Sequence, residues 1–168
     1  DQLNDRFGVL ASWLVLLAVL ISAGNAIIRY SFSISSNAWL EIQWYLFTGM
    51  VMLGAATTFR LNEHVRVDVL YAMYPNRVRL WLDFWGGILF LLPMCLIIGW
   101  NSLELFFNSF LQNEMSSNAG GLLRWPARIM IPIGFFLLFL QGVSEIIKRY
   151  AALQGIIQID PKYERPLQ

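Results

Sequence analysis

Four long apolar runs decide most of what this chain can become: Phe7 to Ile28, Leu40 to Phe59, Leu82 to Leu103, and Ile129 to Ile147. Each is close to the roughly 20 residues that a helix rising about 1.5 Å per residue needs to cross a hydrocarbon core of about 30 Å. Composition agrees, with 57% hydrophobic and 14% charged residues, against about 45–50% and about 25% in a soluble domain. The predicted fold is an all-α integral membrane protein, with four transmembrane helices in an antiparallel, bundle-like arrangement. The connections between the runs are too short for a separate soluble domain, so 1–168 is read as one membrane domain. The first run is longer than the apolar part of a secretory signal and has only Arg6 before it, so it is read as a span.

Charge then orients the spans. A net charge of +1 gives no reason to expect nucleic acid, and a single cysteine, Cys95, excludes a disulfide framework. With four spans, the N-terminus, the middle loop and the C-terminus share one side. That side holds Arg6, Arg60, Arg66, Arg77, Arg79, Lys148, Arg149, Lys162 and Arg165, and the other only Arg29, Arg124 and Arg128. The positive-inside bias predicts cytoplasmic termini. The polar stretch NEHVRVDVLY, with His64, Arg66 and Asp68, then lies in a cytoplasmic loop. Its apolar residues predict a short interfacial helix over 63–75, although Val65, Val67 and Val69 would also suit a strand. His64 has no second His to share a metal, so it is read as a surface residue. With Arg66 and Asp68 it is expected to tether the loop to anionic headgroups or to a partner.

Polar residues inside a span look toward protein, because exposing a charge to lipid costs about 2.5–3.5 kcal/mol at a helix centre. At 100° per residue, Ala11, Ala18, Ser22, Asn25 and Arg29 form one stripe of the first span, opposite Trp13, Leu16, Leu20 and Ile27. In the second, Glu41, Thr48 and Ala55 align beside Gly49 and Ala56, with Asn37 as the expected helix cap. In the third, Asp83, Gly87, Phe90, Met94, Asn101 and Glu104 align, and the pattern runs on toward Phe110. In the fourth, Ala127, Gly134, Gln141, Glu145 and Lys148 align, and Glu145 has ion-pair spacing to Lys148 and Arg149. Arg29 and Glu41 are expected to pair and fix the first two helices. The Ser-, Asn- and Gly-rich loop from Glu114 to Trp125 is expected to be mobile, with Arg124 and Trp125 at the outer interface.

Deep chemistry is missing from this pattern. Asp83, Glu41, Arg29, Arg128 and Glu145 all sit near span ends, and only Gln141 approaches the interior. Transporters and pumps place their working groups near the midplane. Haem ligation would need histidines at depth, and no catalytic motif can be assembled. The chain is therefore not read as an enzyme. Two rivals remain: a self-sufficient four-helix exporter, and a membrane anchor for an enzyme.

Several segments, in order, resemble the small membrane subunit of tripartite ATP-independent periplasmic (TRAP) transporters: the Arg29-Tyr30 pair, NAWLEIQWYLF, GAATTFRLNEHVRVDVLY and RWPARIMIPIGFFLLFLQG. The resemblance covers nearly the whole chain. It implies a sodium-coupled importer in the inner membrane of a bacterium or archaeon. In such a system a periplasmic binding protein delivers an organic acid or related solute to a large membrane subunit, which carries the substrate and sodium sites. The small subunit would have no cofactor of its own and would scaffold the large one, in contact with membrane lipids. Where many relatives have two adjacent acids at the start of the second helix, this chain has Glu41 followed by Ile42.

Overall fold

The structure, a computed structural model, describes residues 1–34, 36–62 and 73–157. These form four long helices: α1 (Gln2–Phe32), α2 (Asn37–Leu61), α3 (Asn76–Leu111) and α4 (Trp125–Leu153). The described residues contain no β-strand beyond one isolated bridge between Met115 and Leu123. Helix is what hydrocarbon demands, because it satisfies every backbone N–H and C=O within the segment. Most of the interfacial helix expected over 63–75, with His64, Arg66 and Asp68, lies outside the described residues.

The ends of the helices follow local chemistry. α1 stops at Ser33 and α2 at Asn62, both left-handed (φ 55° and 62°), and each returns its N–H to the last turn. The residue capping α2 is Ser36, not Asn37 as expected. α3 starts after Pro75, and α4 carries Pro126 in its first turn, where a missing N–H costs nothing.

Three helices, α1, α3 and α4, are long and apolar enough to cross a membrane. α2 is the polar exception: its 25 residues include Glu41, Gln43, Trp44, Tyr45 and three threonines. At about 1.5 Å per residue it still extends about 37 Å.

The helices pack in the order α1, α2, α4, α3, each against the next. Within the expected antiparallel, bundle-like arrangement the helices thus form an open row. α1 runs antiparallel to α2, and α3 to α4, but α2 and α4, which meet in the centre, run parallel. The small core lies toward the α1–α2–α4 side, where Ala11, Leu53, Ala56 and Leu137 cluster, with Phe7, Leu14, Met130 and Ile133 packed around them. A row has two broad faces, and Trp13, Leu20, Ile27, Phe90, Ile97 and Phe136 are among the large apolar side chains left exposed.

α3 departs from the expected face. Phe90 and Met94 are 75% and 50% exposed, and Asn101 and Glu104 are exposed as well. The packed positions are instead Cys95, Ser102 and Ser109, seven residues apart. A π turn over Gly87–Leu91 explains the shift. It inserts one extra residue into the helix, so a face projected from Asp83 and Gly87 at a constant 100° lands one position early. The inserted turn rests on α4, where Gly87 faces Ile146 and Gly142 faces Leu91.

At the α2–α4 crossing a glycine lies against backbone. A Cβ at Gly134 would lie 2.7 Å from the Met52 backbone oxygen, so no side chain fits without separating the helices. Gly134→Val is expected to destabilise the isolated subunit by about 1–3 kcal/mol, the range for overpacking a filled site. Gly24 of α1 meets nothing within 4 Å, so Gly24→Ala should leave stability equal or higher by up to about 1 kcal/mol. Denaturant unfolding in detergent micelles distinguishes the two. Equal stability of both variants would contradict a tight α2–α4 crossing.

Candidate functional site

The polar side chains gather at the two rims of the row. One rim holds both described termini. There Asn4 (3% exposed) donates from Nδ2 to Gln141 Oε1 at 2.6 Å, and Gln141 (1% exposed) donates from Nε2 to Asp1 Oδ1 at 3.0 Å and Glu145 Oε1 at 3.1 Å. The Thr57 hydroxyl donates to the Asn4 carbonyl at 2.8 Å. Toward the edge, Lys148 pairs with Asp1 at 2.7 Å and Glu145 at 3.0 Å, and Arg149 pairs with Glu145 at 2.7 Å and Asp83 at 3.2 Å. Arg60 pairs with Asp5. Side chains from all four helices thus meet in one network.

Its position has a reason. Gln141 needs partners because an unsatisfied amide in an apolar setting costs several kcal/mol, and α1 delivers Asn4 directly opposite. Asn4 was not singled out in the sequence, although it stands seven residues before Ala11 and therefore on the same stripe. Extending that stripe back toward the N-terminus would have found it.

The opposite rim is built around Glu41, near the start of α2. Its carboxylate accepts the Leu122 backbone N–H at 2.7 Å, the Asn118 side-chain amide at 2.9 Å and the Ser116 hydroxyl. Asn37 Nδ2 donates to the Ala119 carbonyl at 3.0 Å, and the Tyr45 hydroxyl to the Leu123 carbonyl at 2.8 Å. The loop between α3 and α4 is therefore a tied hairpin and not a loose tether. Its arms join through Ser116 N–H to Leu122 and Arg124 N–H to Glu114, both at 2.9 Å, and its tip turns at Gly120 (φ 70°). Glu114 closes the base, accepting from Arg124 Nη1 and Arg128 Nη2 at 2.9 Å each. Burial opposes ionisation of Glu114, but the two arginines outweigh it and hold its carboxyl below the ordinary value.

With Glu41 engaged by the loop, the expected Arg29–Glu41 pair does not form. Arg29 and Ser22 are exposed and Asn25 is half-buried. Thr48 returns its hydroxyl to the Trp44 carbonyl at 2.9 Å, and Gly49 is buried beside Leu14. Trp125 stands edge-on to Phe110 with ring centres 5.5 Å apart. Between α3 and α4 runs an apolar groove of about 490 Å³, lined by Cys95, Gly99, Trp100, Phe106, Pro132 and Phe136 among others. Among the described residues, no group of three or more His, Cys, Asp or Glu could hold a metal ion.

These features define a class: an all-helical, multi-pass membrane protein in which buried Asn4 and Gln141 join helix to helix and Glu41 joins helix to loop. No curated protein matches the chain. The family model described as "Tripartite ATP-independent periplasmic transporters, DctQ component" matches residues 17–152, most of the chain. The chain belongs to that family and is a small component of a TRAP transporter.

The two rims are separately testable. Glu41→Gln keeps the size of the side chain but weakens its grip on three donors, so hydrogen exchange at the Leu122 amide should quicken by about tenfold. Unchanged exchange would mean the loop is held some other way. Glu114 should add a pH dependence. Because its folded value is depressed, its contribution is complete above the unfolded carboxyl value of about 4.3 and lost as pH falls through the folded value. Hairpin protection should therefore drop in acid more steeply in the wild type than in Glu114→Gln. Identical acid profiles would contradict it.

Proposed function

We propose that this chain is the non-catalytic small membrane subunit of a sodium-coupled TRAP transporter, scaffolding the large transport subunit. It crosses the inner membrane of a bacterium or archaeon four times, α2 included, with both termini in the cytoplasm. The solute, an organic acid or related compound, arrives on a periplasmic binding protein, and sodium binds on the large subunit. Besides family membership, one observation carries this reading: the buried Asn4, Gln141 and Glu41 side chains are engaged within the chain. Gln141, the deepest of them, is fully committed to Asn4, Asp1 and Glu145.

That observation also weighs against a self-sufficient exporter, which needs a carboxylate free to exchange protons for cargo at depth. Glu41 is held by three loop donors, and Asp83 and Glu145 by Arg149. The apolar faces support a role in adhesion. Large exposed apolar surface in a membrane subunit serves lipid or a protein neighbour.

Reconstituted alone into vesicles with a sodium gradient, the subunit should show no organic acid uptake above empty vesicles. Uptake should appear when the large subunit and the binding protein are both present. Transport by the chain alone, or a soluble catalytic chain as its co-purifying partner, would overturn the proposal.

A further inference from the structure

The polar stripe of α1 is bonded to other helices at one end and not at the other. Asn4 and Ala11 are buried against α2 and α4, while Ala18 and Asn25, at the same seven-residue spacing, are only half-buried. Ser22 and Arg29 flank Asn25, three residues before it and four after, and both are exposed. No hydrogen bond or ion pair joins Ser22, Asn25 or Arg29 to any other side chain among the described residues. Several other polar groups of the row do find partners, although Ser109 on α3 does not. Ser12 returns its hydroxyl to Gly8 at 3.1 Å, Asn101 its amide to Ile97 at 2.7 Å, and the acids at both rims face arginine or lysine.

The same part of α1 carries a cleft. It measures about 280 Å³ and is lined by Leu17, Leu20, Ile21, Gly24, Ile28 and Trp39, with Asn25 on its wall. Gly24 has open space before it. An apolar hollow, a glycine that permits close backbone approach, and polar groups in line with them are what a packed membrane helix meets on its partner.

On the reading of the chain as a scaffold for the large subunit, we propose that the loop-end half of α1, with the Trp39 edge of α2, is the surface that receives a transmembrane helix of that subunit. The helix would place an apolar side chain in the cleft and a carboxylate or a free carbonyl opposite Arg29 and Asn25. Charge selects the chemistry, since Arg29 is a cation whose nearest acid on α2, Glu41, is occupied. Depth selects protein over lipid. Along the helix, Asn25 and Ser22 lie about 6 and 10 Å below Arg29. A phosphate can answer the guanidinium at the surface, but acyl chains offer no partner to an amide or hydroxyl beneath it.

The test uses the subunit co-expressed with its large membrane partner, with a photo-activated benzoyl-phenylalanine at position 22, 25 or, on the opposite face, 13. Crosslinks to the large subunit are expected from 22 and 25, at least fivefold above those from 13. Asn25→Leu combined with Arg29→Glu should lower the co-purified large subunit at least fivefold, while Trp13→Leu keeps it within twofold. Thermal unfolding of each isolated variant separates lost docking from lost fold. If the large subunit co-purifies but positions 22 and 25 capture only lipid, this docking surface is refuted and the scaffold reading stands. If no large membrane partner co-purifies with the unaltered chain, both fall.

Discussion

Helices already inside hydrocarbon gain almost nothing by hiding apolar surface from one another, because lipid tails are as apolar as leucine. What holds this row together is therefore close contact and polar bonding, and the two are distributed differently. Close contact works in the middle, where Gly134 lets α4 lie against the Met52 backbone and Ala56 is fully buried in the core. Polar bonding works at the rims, where Asn4, Gln141, Glu145 and Arg149 join the helices at one end and Glu41 grips the hairpin at the other. Of these bonds the Asn4–Gln141 one is fully buried, and it is worth more than its counterpart on a soluble surface, since breaking it leaves a group with no water to turn to.

The same division explains what could be read from the residues in order. Faces that run at constant pitch were legible. The Gly134, Gln141 and Glu145 face of α4 follows from 100° per residue and carries contacts in the structure; on α2 the projected line of Glu41, Thr48 and Ala55 is buried only at Glu41, and the packed positions Gly49 and Ala56 lie just beside it. α3 was not legible, because a π turn adds one residue at Gly87–Leu91 and no residue there announces it. Gly86 and Gly87 permit the turn, but glycine pairs are common in spans. The order of the helices was also hidden. Short connections imply antiparallel neighbours in sequence, yet the central contact joins α2 to α4 in parallel.

The hairpin shows a different limit. Its Ser, Asn and Gly content reads as flexible on composition alone, but its polar groups bond to Glu41, Asn37 and Tyr45, which lie about 75 to 82 residues earlier in the chain. Turn-forming residues tell where a chain can bend and not what it is tied to. Once Glu41 is taken by the loop, the charge expected to balance Arg29 is gone, so one misread segment alters the reading of another helix.

A row fastened in this way suits a support better than a moving part. Alternating access requires one group of helices to rock against another around a site at mid-depth. Here α1, α2, α3 and α4 are crosslinked through one network at the terminal rim, and α2 is bound to the α3–α4 hairpin at the other. Rocking one group of helices past the other would break several polar bonds at once and open the Gly134 crossing. The exception is the loop end of α1, which no side-chain bond fastens to the rest. On the proposed scaffold reading, that half-helix offers a neighbouring chain polar groups that no described side chain bonds.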